Sequence, residues 1–211
     1  MSELIKVGIT HGDVNGVGYE ILMKTFSDIR MLELIHPIIY GSSKSASYHR
    51  KLLNNNSVNF NIINSVEESR EGRINLLNCI KDETRIDIGT ATAEAGESAY
   101  IALDCATKDL KENKIDVLVT LPINKDTIQS DQFKFPGHTE FLEERFAGEG
   151  EKALMIMATQ TMRVALATTH IPLKDVSSAL SKELIAEKIR TLNNTLKRDF
   201  SIDAPRIAVL G

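Results

Sequence analysis

The sequence predicts an α/β fold built on a largely parallel sheet, and three observations carry that prediction. Short apolar runs alternate with longer amphipathic stretches, the rhythm of repeated βα units. Glycine and proline turns punctuate the ends of the apolar runs. The 211 residues, 42% hydrophobic and 26% charged, supply a sizeable core and exclude a disordered or fibrous chain.

Residues 5–10 (IKVGIT) read as a buried strand and 12–18 as a tight turn, with a helix through 19–26. Residues 36–40 (HPIIY) form the second strand, closed by Gly41-Ser42-Ser43, and 44–53 the second helix. The asparagine cluster 54–56 is a loop, and 58–63 and 73–80 read as further strands. The clearest helix is 94–112. There Ala95, Ala99, Ala102, Leu103, Ala106 and Leu110 make one apolar stripe, while Glu97, Asp104, Lys108 and Lys111 face away. Its alanines predict close approach to another element. Residues 116–120 (DVLVT) read as a buried strand, 140–146 as helical, and 153–158 and 163–168 as adjacent strands. Ser181 caps a helix with Glu183 in its first turn and Ile185, Ile189, Leu192 and Leu196 on one face. Residues 206–210 (RIAVL) read as a last strand. The polar stretch 122–147 is the expected place for a cleft or a domain boundary.

Charge and composition remove several function classes. A net charge of −4 without a Lys/Arg block leaves no electrostatic footprint for nucleic acid or anionic membrane. No apolar run approaches the roughly 20 residues of a membrane span, and the N-terminus has no signal-peptide pattern. Cys79 and Cys105 show neither CxxC spacing nor a Cys/His cluster, which excludes a disulfide framework or structural zinc site and suits a reducing cytosol. A cytoplasmic protein is expected. The chain stops at Gly211, directly after an apolar run, where α/β sheets place functional loops, so it reads as truncated.

Four segments place polar groups where chemistry can use them. Residues 12–18 follow a strand and precede a helix, but their GxxxGxG spacing matches neither GxGxxG nor GxxxxGK[ST]. They serve either tight helix–strand packing or direct phosphate contact, with Asp13 among them. Asn124 and Lys125 follow a strand end, where Lys125 can hold a phosphate or carboxylate, or simply face solvent. His138 and Thr139 lie at a helix start beside free amides, an anion site, although Thr139 as a plain N-cap explains the pattern as economically. His170, in Thr168-Thr169-His170-Ile171-Pro172, can ligate a metal or be structural, with no HxH or HExxH partner nearby.

Taken in order, ITHGDVNGVGYEI at 9–21, PINK at 122–125, PGHTEF at 136–141 and TTHIPL at 168–173 resemble the 4-hydroxythreonine-4-phosphate dehydrogenase family of vitamin B6 biosynthesis. The resemblance spans nearly the whole chain. It implies an isocitrate/isopropylmalate dehydrogenase-like α/β fold of two domains flanking a cleft, here residues 1–121 and a truncated 122–211. It implies NAD bound without a Rossmann fingerprint, by residues falling largely outside this segment. It also implies a divalent metal (Zn, Mg, Co or Mn) and a homodimer with a shared active site. The activity implied is oxidation of the C3 hydroxyl of 4-phosphooxy-L-threonine, with decarboxylation to 3-amino-2-oxopropyl phosphate. His138 and Thr139 match the family's substrate-binding pair and His170 one of its three metal-ligating histidines.

The chain departs from that pattern beside the expected cleft. Val14, Asn15 and Tyr19 stand where the family usually has Pro, Ala and Pro, and Leu121 replaces a small residue. Two alternative activities therefore stand: a dehydrogenase of phosphorylated threonate or erythronate, and a non-oxidative phosphate-ligand enzyme such as a phosphoacyltransferase. A binding module without catalysis is the third class.

Overall fold

The structure, a computed structural model, describes residues 4–55, 57–80, 84–149 and 151–210. The end at Gly211 lies outside the described residues, as does Asn56 of the asparagine loop. The chain forms two compact units, Met1–Phe146 and Ala147–Gly211.

The first unit is a five-stranded parallel sheet in the order β3-β4-β2-β1-β5, with β1 at Lys6–Thr10, β2 at His36–Gly41, β3 at Phe60–Ile63, β4 at Ile74–Asn78 and β5 at Val117–Thr120. Register is set by pairs such as Gly8↔Ile38, Ile9↔Val119 and Ile39↔Leu76. Alternation along β2 sends neighbouring side chains to opposite faces. Ile39 joins Val7, Ile9 and Leu76 under helix α1 (Gly18–Phe26), with Tyr19, Leu22, Met23 and Phe26. Ala46 of α3 (Ser43–Leu52) packs in the same cluster, together with Leu32 of the short α2 (Met31–Leu34). Ile38, Tyr40 and Leu77 turn the other way, onto Ala102 and Ala106 of α4 (Ala93–Lys111). Each fully buried isoleucine contributes about 1.5–3 kcal/mol relative to an exposed one.

Two capping side chains behave as their types predict. Ser42 Oγ accepts from the Ser45 amide and Thr92 Oγ1 from the Ala95 amide, each satisfying a donor that the first helical turn leaves free. The alanine stripe of α4 does bring another segment close. A Cβ placed on Gly96 would lie 1.8 Å from the Thr127 carbonyl.

β5 corrects the expectation of a buried strand. It is an edge strand, and Val117 and Val119 are exposed while Leu118 packs against the α4 side. With no further strand on that edge among the described residues, one face of β5 lacks the helix cover that β1 and β2 receive.

Residues 122–146 stay with the first unit because of an aromatic cluster. Phe133 and Phe141 stack with centroids 5.3 Å apart and pack on Ala99 and Leu103 of α4, with Tyr100 edge-on to both rings. Arg145, near the end of α5 (His138–Phe146), donates to Asp104 of α4 at 2.6 Å and lies over the Phe141 ring. The compact units part between Phe146 and Ala147, inside the polar stretch 122–147 where the sequence places a cleft or a boundary.

The second unit holds an antiparallel pair, β6 (Ile156–Ala158) and β7 (Arg163–Ala165), the short α6 (Val176–Ala179), and α7 (Lys182–Arg198). Ser181 Oγ caps α7 by accepting from the Leu184 amide, as expected. The expected strand at 206–210 does not form: this segment pairs with no described strand. Ile207, Ala208, Val209 and Leu210 instead line an apolar groove of about 300 Å³ with Ile185, Ile189 and Leu192 of α7. An apolar run becomes a strand only when a ladder partner satisfies its amides and carbonyls.

Candidate functional site

The loops leaving β1 and β5 meet at the carboxyl edge of the first unit's sheet, the edge where parallel α/β sheets bind ligands. The Asp13 amide donates to the Pro122 carbonyl at 2.8 Å. Gly12 has φ +70, and a Cβ there would sit 2.3 Å from the same carbonyl oxygen. At Gly18 a Cβ would lie 1.9 Å from the His11 carbonyl oxygen, so α1 seats directly on the end of β1. Both glycines are required by packing, the helix–strand role open to residues 12–18. Asp13 folds back on its own turn, its Oδ1 accepting from the Asn15 amide at 2.9 Å.

Asn124 is likewise a loop former. Its Oδ1 accepts from the Asp126 and Thr127 amides at 3.0 and 3.2 Å, an Asx turn that launches the next segment. Lys125 is thereby aimed at the start of α5: its Cε lies 3.7 Å from where a Gly137 Cβ would be. There it meets His138. Burial, and then the Lys125 charge, lower the His138 pKa, so its imidazole is neutral at neutral pH. Its Nε2 is buried with no hydrogen-bond partner in the protein.

Thr139 is exposed and lies inside the first turn of α5, because the helix begins at His138. It is therefore not the N-cap. Lys125, His138 and Thr139 thus surround one helix N-terminus, whose free amides favour an anion. An ammonium, a neutral imidazole with an unsatisfied nitrogen, a hydroxyl and helix amides together suit a phosphate or carboxylate.

Beneath the glycine turn lies a group that the sequence did not reveal. Tyr19 stacks between His11 and His49, with centroids 5.4 and 4.9 Å away. Its hydroxyl donates to the Ser42 carbonyl and accepts from the Ser42 amide. His49 Nε2 lies 2.8 Å from the Val14 carbonyl. Complete burial, reinforced by His49, drives the His11 pKa down to about 4, and burial pushes the Tyr19 phenol up. Asn15 clamps the segment that follows: its Nδ2 donates to the Thr90 carbonyl and Thr92 Oγ1, and its Oδ1 accepts from the Asp87 amide. Val14, Asn15 and Tyr19 are all buried. These departures therefore remodel the support of the loop and present no side chain to an open cleft. No sequence signal joins β1, α1 and α3 into such a stack.

His170, in the second unit, lies beyond the end of β7 in a loop, exposed, with φ +57. Histidine is among the residues that tolerate this left-handed conformation. Among the described residues no group of three His, Cys, Asp or Glu side chains is arranged to hold a metal. One exposed imidazole does not constitute such a site on its own.

Comparison with known proteins decides the family. Residues 33–211 match the family model described as "Pyridoxal phosphate biosynthetic protein PdxA". The chain belongs to this family. A PdxA relative from Bacteroides thetaiotaomicron, named 4-hydroxythreonine-4-phosphate dehydrogenase, is 52% identical over 98% of the chain and 56% of its own length. A Cupriavidus necator protein named D-threonate 4-phosphate dehydrogenase is 31% identical over 100% of the chain and 63% of its own length. The solved structure of a 4-hydroxythreonine-4-phosphate dehydrogenase from Burkholderia phymatum superposes with a TM-score of 0.83 at 28% identity, over 97% of the chain and 62% of that structure. The chain thus spans about 56–63% of the length of these PdxA relatives. The fold is the α/β class of those dehydrogenases, as expected.

Proposed function

We propose that a protein of the relatives' length containing this chain is an NAD-dependent, divalent-metal-dependent dehydrogenase of vitamin B6 biosynthesis. It oxidises the C3 hydroxyl of 4-phosphooxy-L-threonine, and the resulting β-keto acid loses CO2 to leave 3-amino-2-oxopropyl phosphate. The observation that carries this reading is the anion site at the start of α5, where the buried, unpartnered Nε2 of His138 adjoins Lys125. The names borne by relatives along nearly the whole chain support the reaction class.

In this reading Lys125 holds an anionic end of the substrate as a point charge. His138, kept neutral by its surroundings, makes a directional hydrogen bond to the substrate through Nε2, and the Thr139 hydroxyl makes a second. Gly12 and Gly18 fix the neighbouring turn so that the site keeps its shape. NAD would supply the hydride acceptor for C3. The reading includes a metal ligated by His170 with groups supplied from outside these residues, and no step is assigned to it. It further includes a cytoplasmic homodimer with a shared active site, and a 211-residue chain that does not turn over by itself.

A second reading, oxidation of a phosphorylated threonate, draws on the name of the Cupriavidus necator relative. Reduced-nicotinamide absorbance with each substrate, using a protein of the relatives' length, tests both. The proposal expects faster turnover of 4-phosphooxythreonine than of 4-phosphothreonate. The reverse order supports the second reading, and no nicotinamide reduction with either overturns both in favour of a non-oxidative enzyme.

A further inference from the structure

The anion site is built from two branches of chain that reach it separately. Lys125 arrives on the loop leaving β5, and His138 and Thr139 arrive on α5. The segment between them is closed at its tip, where Ser130 and Phe133 exchange backbone hydrogen bonds at 3.1 and 3.3 Å. Ile128, Phe133 and Phe141 are buried together against Ala99 and Leu103, with Phe135 packed beside them. That packing seats the loop tip and α5, but apolar contact has no direction. The Asn124 turn bends the chain at Lys125, yet it bonds only the Asp126 and Thr127 amides and has no hold on α5.

One side chain joins the two branches. Gln129 Nε2 donates to the Lys125 carbonyl at 3.1 Å and to the Phe135 carbonyl at 2.8 Å. Both partners are acceptors, so they take both hydrogens of the amide. Among the described residues no other hydrogen bond connects 124–128 with 134–138. Phe135 leads through Pro136, whose ring restricts the backbone, into Gly137, beside which the Lys125 Cε lies. Gln129 is itself exposed, so its removal leaves two carbonyls to water and opens no hole in the core.

We propose that Gln129 is the positioning residue of this site, a clasp that holds Lys125 against the entrance of α5 and so presents its ammonium to the bound anion. The proposal rests on the reading that the start of α5 binds the substrate. Gln129 does not touch the substrate and acts through the Lys125 main chain. A lysine ammonium rides on a flexible four-carbon stem, so fixing its backbone narrows the space it samples. With the clasp open the ammonium spends less time on the anion. Binding weakens while the chemistry of bound substrate stays the same, so KM rises and kcat holds. The same separation takes a positive charge away from His138, and its pKa moves up, with burial still holding it below the ordinary value. Glu140, whose carboxylate flanks the same glycine, is unchanged and does not account for that movement.

The test uses a protein of the relatives' length carrying Gln129→Met, which keeps length and neutrality and removes both donors. Gln129→His restores one N–H at similar reach. His138 is titrated by NMR of histidines labelled at Cε1, its signal assigned by its loss in His138→Ala. Gln129→Met is expected to raise KM about five- to tenfold, for whichever phosphorylated substrate turns over faster, with kcat within about twofold. It should also move the His138 midpoint upward, and Gln129→His should lie between it and the wild type in both measurements. A wild-type KM in Gln129→Met, or a raised KM with the His138 midpoint unmoved, overturns the clasp. His138→Ala with the wild-type kcat/KM overturns instead the reading of the site, and the His138 midpoint in Gln129→Met still reads the clasp by itself.

Discussion

The two compact units draw on similar apolar residues and put very different amounts of them out of water. In Met1–Phe146 the sheet is covered on both faces at its centre, and Ile38, Ile39, Tyr40 and Leu76 are fully buried. In Ala147–Gly211 Leu196 is the one buried residue among those described, while Met157, Val164, Val209 and Leu210 are exposed. The first unit pairs five strands and sandwiches them between helices. The second pairs two three-residue strands. Hydrophobic pattern sets which face an element would bury, and burial follows only where strands and helices close over it. The comparison implies that substitutions in the first unit act through packing and those in the second act weakly.

The largest effect is expected at Gly18. A methyl group there meets the His11 carbonyl, and neither backbone can yield without moving β1 or α1. Gly18→Ala should cost about 3 kcal/mol, near the upper end for overpacking. Chemical denaturation followed by circular dichroism measures it, and a cost under about 0.5 kcal/mol contradicts the tight seat of α1.

The next effect depends on pH. The folded His11 pKa of about 4 lies below the ordinary 6.5, so between those values the unfolded chain takes a proton that the folded chain refuses. This contribution is present above about pH 6.5 and is lost as pH falls toward 4, on the order of 3 kcal/mol in total. His49, also lowered by burial, acts in the same direction. Urea midpoints of the wild type should drop more steeply with acid than those of His11→Gln. Parallel curves contradict the assignment.

The smallest effect belongs to the second unit. Val209, 61% exposed, contributes little to packing, and Val209→Ser should change stability by less than about 0.5 kcal/mol. A loss above about 2 kcal/mol shows that this segment is covered in solution by something that equals the first unit's core.

How much of this was legible in the sequence follows the same division. The strands through β5, the α4 stripe and the Ser181 cap were readable because each is specified by residues close in sequence. The short helix α2 was missed, having too few residues to show a period. The strand expected at 206–210 failed because pairing is decided by a partner that apolar residues alone do not reveal. Of the site, Lys125, His138 and Thr139 were legible from their positions at a strand end and a helix start. The roles of Asp13 and Asn124 as turn formers were not, since only folding shows which amides their carboxyl and amide oxygens meet. The His11–Tyr19–His49 stack depends on three separate elements converging and left no trace in spacing.

The claim that the start of α5 binds the substrate is tested most directly at His138, in a protein of the relatives' length. Its Nε2 makes no bond within the protein, so the fold draws no hydrogen bond from it and its removal should leave the melting temperature nearly unchanged. The same removal takes a contact from the bound substrate worth roughly 1.5–3 kcal/mol, a ten- to hundredfold loss in kcat/KM. The account therefore predicts that His138→Ala melts like the wild type and turns over 4-phosphooxythreonine about ten to a hundred times less efficiently. A variant that melts earlier yet keeps the wild-type kcat/KM per folded molecule contradicts it and makes His138 a structural residue.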